Sequence, residues 1–374
     1  MRTWAEVDLN AILFNIKSAR EKLSPNTKLL CVVKADGYGH GAYEISKSAL
    51  KAGADYLAVA TAQEAVDLRK KGIHIPIMIL GVPDKDDIKS IVEYDITATV
   101  FSLNYAKLLS DEAIKQNKKC KVHIKIDTGM SRIGYNTFER AICDIPKICN
   151  MPGIFAEGIF SHFSKADESD SSYTDYQFER FMKIIKSLKD IGIEFKIKHI
   201  CNSAGMIRFP KYHLDMVRNG IALYGHYPSD IFSEKDIALK PAMTFKSNVV
   251  NIKTIPEGTS VGYGGKFVSE KETKVATVAV GYADGYPRAL SQKADVLING
   301  HRCRILGNVC MDQMMVDVTG LDDIKFGDEV ILFGKSGDNN ITVEELADLI
   351  GTINYEILCG IGKRVPRIYK NMPV

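Results

Sequence analysis

Eight short apolar runs, rich in β-branched residues, recur through the first 220 or so positions: 28–34, 56–60, 75–80, 96–100, 122–126, 154–160, 195–201 and 214–218. Between them lie stretches in which apolar residues return every three or four positions, as at Ile12, Leu13, Ile16, Ala19 and Leu23, or at Phe178, Phe181, Ile184, Ile185 and Leu188. That period marks helices with one buried face, and strands alternating with such helices build βαβ units around a parallel sheet. Eight units in succession predict an α/β fold closed into a (β/α)8 barrel.

The pattern changes beyond Gly225. Turn-forming clusters such as Pro228-Ser229-Asp230, Pro256-Glu257-Gly258, Asn299-Gly300 and Ser336-Gly337-Asp338 separate short strands, with one helix expected near 343–350. This is the texture of a mostly β domain. The expected division is a barrel over 1–235 and a β domain over 236–374, with the first ten or so residues packing with the latter.

A barrel strand is covered on both faces, so the alternation within 122–127 carries information. Val122, Ile124 and Ile126 alternate with His123, Lys125 and Asp127, which places a polar set inside the barrel. Buried ionisable groups must be paired or neutralised. Lys125 is therefore expected to be salt-bridged or chemically modified, with Arg132 on the following loop the nearest cation for it to position.

Composition excludes several function classes. The 374 residues are 45% hydrophobic and 25% charged, with a formal charge of +3 and no basic run interleaved with aromatics, which argues against nucleic acid as partner. No stretch is apolar for long enough to span a membrane, and the N-terminus lacks the basic and apolar regions of a signal peptide, so a cytoplasmic protein is expected. The eight cysteines include no Cys-x-x-Cys, which suits reduced core thiols and no metal site.

Catalytic residues of such barrels sit at the C-terminal ends of the strands. The residues there are Lys34 after the first run, Asp127 to Arg132 after the fifth, His162 after the sixth, Asn202 and Ser203 after the seventh, and Arg218 to Ile221 after the eighth. Taken singly each has an ordinary reading: a strand-end lysine, a core histidine, a helix cap. Their convergence on one mouth is what distinguishes them. Loops after the last two strands often hold phosphate, and Ser203 with the Asn219-Gly220-Ile221 backbone offers the donors. A lysine whose amine is partly desolvated, across the mouth from a phosphate site, points to pyridoxal phosphate.

The motifs Val33-Lys34-Ala35-Asp36-Gly37-Tyr38-Gly39-His40-Gly41, Lys125-Ile126-Asp127-Thr128-Gly129-Met130-Ser131-Arg132-Ile133-Gly134, Gly281-Tyr282-Ala283-Asp284-Gly285-Tyr286 and Cys310-Met311-Asp312-Gln313 together resemble the alanine racemases, and the likeness extends from Trp4 to Arg367. The resemblance implies a pyridoxal 5'-phosphate enzyme that interconverts L- and D-alanine for peptidoglycan, working as a homodimer with shared active sites. Lys34 matches the lysine that holds the cofactor as an aldimine and serves the D-alanine face. Tyr263 matches the second base, on the L-alanine face and supplied by the partner subunit. One group on each face is what inversion at a carbon requires. Arg218 is similar to the arginine facing the pyridine nitrogen, with His199 behind it, and a permanently protonated guanidinium leaves that nitrogen an acceptor.

By the same resemblance Tyr38, Ser203, Gly220, Ile221 and Tyr355 take the phosphate, and Arg132 with the partner's Met311 N–H takes the substrate carboxylate. Lys125 corresponds to a lysine carbamylated in many members, and His162, Tyr282 and Asp312 look like inner-site or entry residues. Two positions depart from the pattern: Asn308 stands where many members carry arginine, removing a charge from the entry, and Gly262 replaces a serine. The competing readings are a serine or broader amino-acid racemase, a non-catalytic pyridoxal-phosphate carrier, and a related basic amino-acid decarboxylase. The β domain carrying Tyr263 and Met311 argues against the carrier, which needs no second base.

Overall fold

Residues 11–37 and 42–241 of the computed structural model, which describes residues 1–371, form one unit, and residues 1–10, 38–41 and 242 onward form another. The division falls after Pro241 rather than after residue 235. Strand β1 (Thr3–Asp8) belongs to the second unit.

The first unit holds eight parallel strands: β2 (Lys28–Val32), β3 (Tyr56–Val59), β4 (Ile77–Ile79), β5 (Ala98–Val100), β6 (Cys120–Lys125), β7 (Ile154–Phe160), β8 (Ile197–His199) and β9 (Met216–Asn219). They pair in the orders β9-β2-β3-β4 and β5-β6-β7-β8. The two quartets join at Met78 and Thr97, where Thr97 N–H bonds to the Ile77 carbonyl at 2.9 Å and Ile79 N–H to the Thr97 carbonyl at 3.0 Å. At the other seam Asp215 N–H reaches the Lys198 carbonyl at 3.0 Å and Arg218 N–H the Cys201 carbonyl at 3.1 Å. The ring is closed, as the eight apolar runs predicted.

Most of the strands are shorter than the runs that announced them. Val33, Ile200 and Cys201 lie past the ends of β2 and β8 yet are wholly buried, and Val33 N–H, on the Ala58 carbonyl at 2.8 Å, and the Cys201 carbonyl still bond to neighbouring strands. Helices begin where hydroxyl and amide side chains can accept orphan N–H groups. Thr61 caps Ala62–Lys70 in a box closed by Glu64, Ser102 caps Leu103–Lys115, Thr137 caps Phe138–Cys149, and Asn202 caps Ser203–Arg208. In the helix Ser172–Asp190 the buried face is Thr174, Gln177, Phe181, Ile184 and Leu188, a repeat of three and four.

The second unit is built on a nine-stranded sheet. Its strands are β1 with β10 (Met243–Ile255), β13 (Thr273–Val278), β14 (Asp295–Ile298), β15 (His301–Leu306), β16 (Met314–Asp317), β17 (Glu329–Ser336), β18 (Asn339–Ile341) and β19 (Arg367–Lys370); a separate ribbon pairs β11 (Ser260–Val261) with β12 (Phe267–Val268). The order is β18-β17-β14-β15-β16-β13-β10-β1-β19, and an extra β17–β10 pairing closes part of it into a ring. Strand β10 can serve three neighbours because it is 13 residues long and bulges between Val249 and Asn251. The helix expected near 343–350 is present as Val343–Ile350, capped by Thr342.

Candidate active site

Arg218 is the largest fully buried side chain in the protein, and its position inside the barrel follows from strand alternation. Its Nη1 donates to His199 Nδ1 at 2.8 Å, and its Nη2 donates to the carbonyls of Ser161 and Ile200 at 2.8 Å each and to His162 Nδ1 at 3.0 Å. The Phe160 ring lies 5.6 Å from the guanidinium and stacks on His199. Burial lowers Arg218 to about 10, still protonated at neutral pH. Arg218 Nε makes no hydrogen bond among the described residues, so one donor remains for a group outside the protein.

Ser203 opens the helix Ser203–Arg208 directly after the Asn202 cap. Its oxygen accepts the Gly220 N–H at 2.8 Å and the Ala222 N–H at 3.4 Å, which ties the loop after β9 to the loop after β8. With its lone pairs so used, the Ser203 hydroxyl proton points to an acceptor that the described residues do not supply. A phosphate oxygen is such an acceptor. The residues expected to hold a pyridine nitrogen and a phosphate therefore present one unspent donor each.

Lys34 is half-buried just past β2 and is followed by an unusual turn. Ala35, Asp36, Gly37 and Tyr38 all lie in the left-handed region, with φ of 51°, 51°, 62° and 51°. Three of these are not glycine, and each such residue costs about 1–2 kcal/mol. The turn is held by Glu64, which accepts the Ala35 N–H at 2.6 Å, by Asp36, which accepts the Ala42 N–H at 2.9 Å, and by Gly37 N–H on the Val33 carbonyl at 2.8 Å. Glu64 thus closes the cap of its own helix and secures the backbone next to Lys34.

Lys125 points into the barrel, as expected, and is buried. Its amine donates to the Ile126 carbonyl at 2.7 Å and sits 5.5 Å from the Phe160 ring. Among the described residues it has no ion pair, so of the two expectations the salt bridge is not met. Burial, aided by Arg218 and Arg132, pulls the amine down to about 7. Asp127 accepts the N–H groups of Gly129, Met130 and Ser131 at 3.0 Å each and so shapes the loop that presents Arg132, which is exposed. Burial, with Arg218, Arg132, Lys125 and Lys34 nearby, holds His162 well below the usual imidazole range. One histidine thus feels every cation of the mouth.

The remaining expected residues belong to the second unit. The rings of Tyr38 and Tyr355 lie 6.0 Å apart. Tyr263 is 74% exposed on a turn flanked by Gly262, Gly264 and Gly265, and Met311 and Tyr282 are also exposed. Tyr282 N–H bonds to the Cys310 carbonyl and Ala283 N–H to the Met311 carbonyl, so these two loops are locked together. Buried Asp284 anchors them through a double hydrogen bond from Arg2 and one from Arg364, which also reaches Asp312 at 2.8 Å. Sequence pattern alone did not reveal Asp284, although it lies inside one of the quoted motifs. Nor did it reveal that Asn308, expected only as a missing charge at the entry, is buried with its amide on the Tyr263 carbonyl. No helix among the described residues is long and apolar enough to cross a membrane, and no group of His, Cys, Asp or Glu among them could hold a metal.

The family model "Alanine racemase, N-terminal domain" matches residues 7–228 and "Alanine racemase, C-terminal domain" residues 242–369. The chain is 46% identical over 366 residues to the alanine racemase of Desulforamulus reducens and to that of Methanococcus maripaludis, with 98% of each chain covered in both cases. Among solved structures, the alanine racemase of Clostridium difficile superposes with a TM-score of 0.95 at 42% identity, covering 99% of this chain and 96% of that one. The Bacillus anthracis enzyme with bound L-Ala-P superposes with a TM-score of 0.94 at 38% identity, covering 100% and 96%. The chain therefore belongs to the alanine racemase family of pyridoxal-phosphate-dependent isomerases and interconverts L- and D-alanine.

Proposed function

We propose that this chain binds pyridoxal 5'-phosphate and racemises alanine with two bases, Lys34 on the D-alanine face and Tyr263 on the L-alanine face, to supply D-alanine for peptidoglycan in the cytoplasm. When bound, the cofactor supplies an electron sink for the charge left at Cα as the α proton departs. Lys34 would hold it through its amine, Arg218 would face its ring nitrogen, and the Ser203 hydroxyl with the Ile221 N–H would take its phosphate; the Gly220 N–H, expected to share in this, is given to the Ser203 oxygen and serves by placing that hydroxyl. Tyr38 and Tyr355 keep the phosphate role that the family resemblance implies. The observation that carries this reading is the pair of unspent donors, Arg218 Nε and the Ser203 hydroxyl, at the ends of the last two barrel strands.

With cofactor and alanine bound, the Lys34 amine would take or return the α proton on one face. The Tyr263 hydroxyl does so on the other. Arg132 suits the alanine carboxylate through its paired donors, with the Met311 N–H beside it. The Lys125 amine, at about 7 and without an ion pair, is neutral often enough to add to carbon dioxide, releasing a proton and leaving a carbamate anion that orients Arg132. The exposure of Tyr263 and Met311 supports a homodimer in which each subunit completes the other's site.

Exchange of the α hydrogen in deuterium oxide tests the two-base assignment. Because the equilibrium constant is one, Tyr263→Phe must lower kcat/KM equally in both directions, by about 10²–10⁴-fold. D-Alanine should still exchange its α hydrogen with retention through Lys34, while L-alanine should not. Lys34→Ala should abolish both. Racemisation by Tyr263→Phe at the normal rate would sink the assignment.

A further inference from the structure

Behind Arg218 a line of polar side chains runs down through the barrel core. His199 Nε2 and His123 Nδ1 are 2.8 Å apart, His123 Nε2 lies 3.4 Å from Glu157 Oε2, and the Tyr56 hydroxyl donates to that same oxygen at 2.8 Å. Both histidines are fully buried, and Glu157 stands at the far end with its side chain 15% exposed.

The hydrogen-bond directions are forced. Arginine can only donate, so His199 Nδ1 accepts from Arg218 and must be unprotonated. His199 then carries its proton on Nε2 and donates to His123 Nδ1. His123 in turn carries its proton on Nε2 and donates to the Glu157 carboxylate. Each imidazole is neutral, and the line, directed from its Arg218 end, delivers its last proton to an acceptor at the other. Burial keeps both histidines below the usual imidazole range. Burial alone would raise Glu157, but hydrogen bonds from His123 and Tyr56 outweigh it and lower the carboxyl on balance.

The backbone is built to bring Glu157 into this line. With Phe160 and Gly158 on the inner face of β7, strict alternation would turn Glu157 outwards. The β6–β7 register instead slips, pairing Val122 with Ala156 and His123 with Gly158, so that Glu157 is the extra residue of a bulge. Bulges re-aim side chains and are rare between parallel strands. Glycine at 158 is required by the same arrangement, because a Cβ there would lie 2.7 Å from the His123 ring.

We propose that Glu157 is a positioning residue for Arg218: as the charged acceptor at the end of a line whose direction Arg218 sets, it strengthens the bonds through His123 and His199 and so holds the guanidinium in one orientation at the mouth of the barrel. Only what Arg218 faces there, the ring nitrogen of the cofactor, rests on the function proposed above. A full negative charge at the end of the line polarises each hydrogen bond towards the guanidinium. Removing the charge while keeping the shape weakens each of these bonds, although Arg218, which can only donate, still sets their direction.

Long-range proton–nitrogen correlation spectra of protein labelled with ¹⁵N-histidine, recorded without cofactor, read the tautomers directly. The native chain should show Nε2–H at both His123 and His199, and Tyr56→Phe, which spares the line, should leave both unchanged. Glu157→Gln should keep both tautomers, which Arg218 dictates, but move the Nε2–H resonances of His123 and, less, of His199 upfield as their hydrogen bonds weaken, with the melting temperature recording that the variant folds. On the enzyme reconstituted with pyridoxal phosphate, the same variant should shift the visible absorption band and lower kcat about tenfold with little change in KM. Unmoved Nε2–H resonances in Glu157→Gln, or an Nδ1–H on either histidine of the native chain, would overturn the proposal. So would a resonance change that moves neither the band nor kcat. Failure of the native chain to take up pyridoxal phosphate would instead overturn the functional reading, since the tautomer spectra need no cofactor.

Discussion

The buried side-chain amide of Asn308 donates to the main-chain carbonyl of Tyr263 at 2.7 Å. The two residues are 45 positions apart, and this bond is what fixes the backbone under an otherwise exposed tyrosine. Losing such a bond costs about 1 kcal/mol, or roughly fivefold in rate if it matters only to placement. Asn308→Ala should therefore lower kcat by about that factor. Asn308→Asp, which sets an acceptor against the carbonyl, should lower it further. Steady-state racemisation of alanine measures both, and unchanged rates would mean that Tyr263 is placed by something else.

Gly262 sits at φ 74° and ψ −172°, a region open essentially to glycine, and a Cβ there would come within 3.0 Å of the Met315 methyl. A serine at this position, which the family resemblance implies, would thus be strained in this chain. Gly262→Ser should cost about 1–3 kcal/mol if the turn is kept, or displace Tyr263 if it relaxes. Calorimetry and kinetics together distinguish the two, and a variant unchanged in both melting temperature and rate would contradict the geometry.

Lys125 gives a pH signature with a definite sign. Its amine titrates near 7 folded and 10.5 when unperturbed, so between those values the unfolded chain binds more protons and stability rises with pH. The penalty for burying the charge is complete below 7. In buffer free of carbon dioxide, Lys125→Met should be more stable than the native chain at pH 6 to 7, with the difference fading towards 10.5. Bicarbonate at pH 8 should stabilise the native chain and leave the variant unaffected. Parallel melting curves for the two proteins across that range decide the matter.

His123, His162 and His199 are all held below the ordinary imidazole value, first by burial. As pH falls through about 6.5 the unfolded histidines protonate and the folded ones do not, so stability is lost on the acid side. Unfolding near pH 5 should take up as many as about three protons from this source, giving a steeper decline than one isolated histidine would. Calorimetry in buffers of different ionisation enthalpy counts the protons, and an uptake near zero would be incompatible with three neutral histidines.

The barrel and the direction of its chemistry were legible because they depend on periodicity and on residue type at strand ends. Run 154–160 became β7 without change, and Lys34, Ser203 and Arg218 stand where eight parallel strands had to put them. What stayed hidden depends on departures from periodicity. The left-handed turn after Lys34 uses Ala35 and Tyr38, residue types that do not signal positive φ, on either side of Asp36 and Gly37. Glu157 is aimed by a bulge whose only trace is a Glu-Gly pair in an apolar run, and its partner His123 looked like one more inward polar residue. Asn308 finds Tyr263 through a fold in which separation along the chain says nothing about distance.

Strand β1 lies between β10 and β19, paired antiparallel to one and parallel to the other, so the sheet of the second unit joins the first residues of the chain to its last. During synthesis β1 can pair with β10 once that strand has emerged, but its other edge must stay open until Arg367–Lys370 has left the ribosome. Pairing across that distance is slow, and unpaired edges invite association with other chains. A chain shortened by the few residues of β19 would therefore be expected to fail not as a slightly weakened enzyme but as an aggregating one, its barrel already folded while its first strand still has an open side.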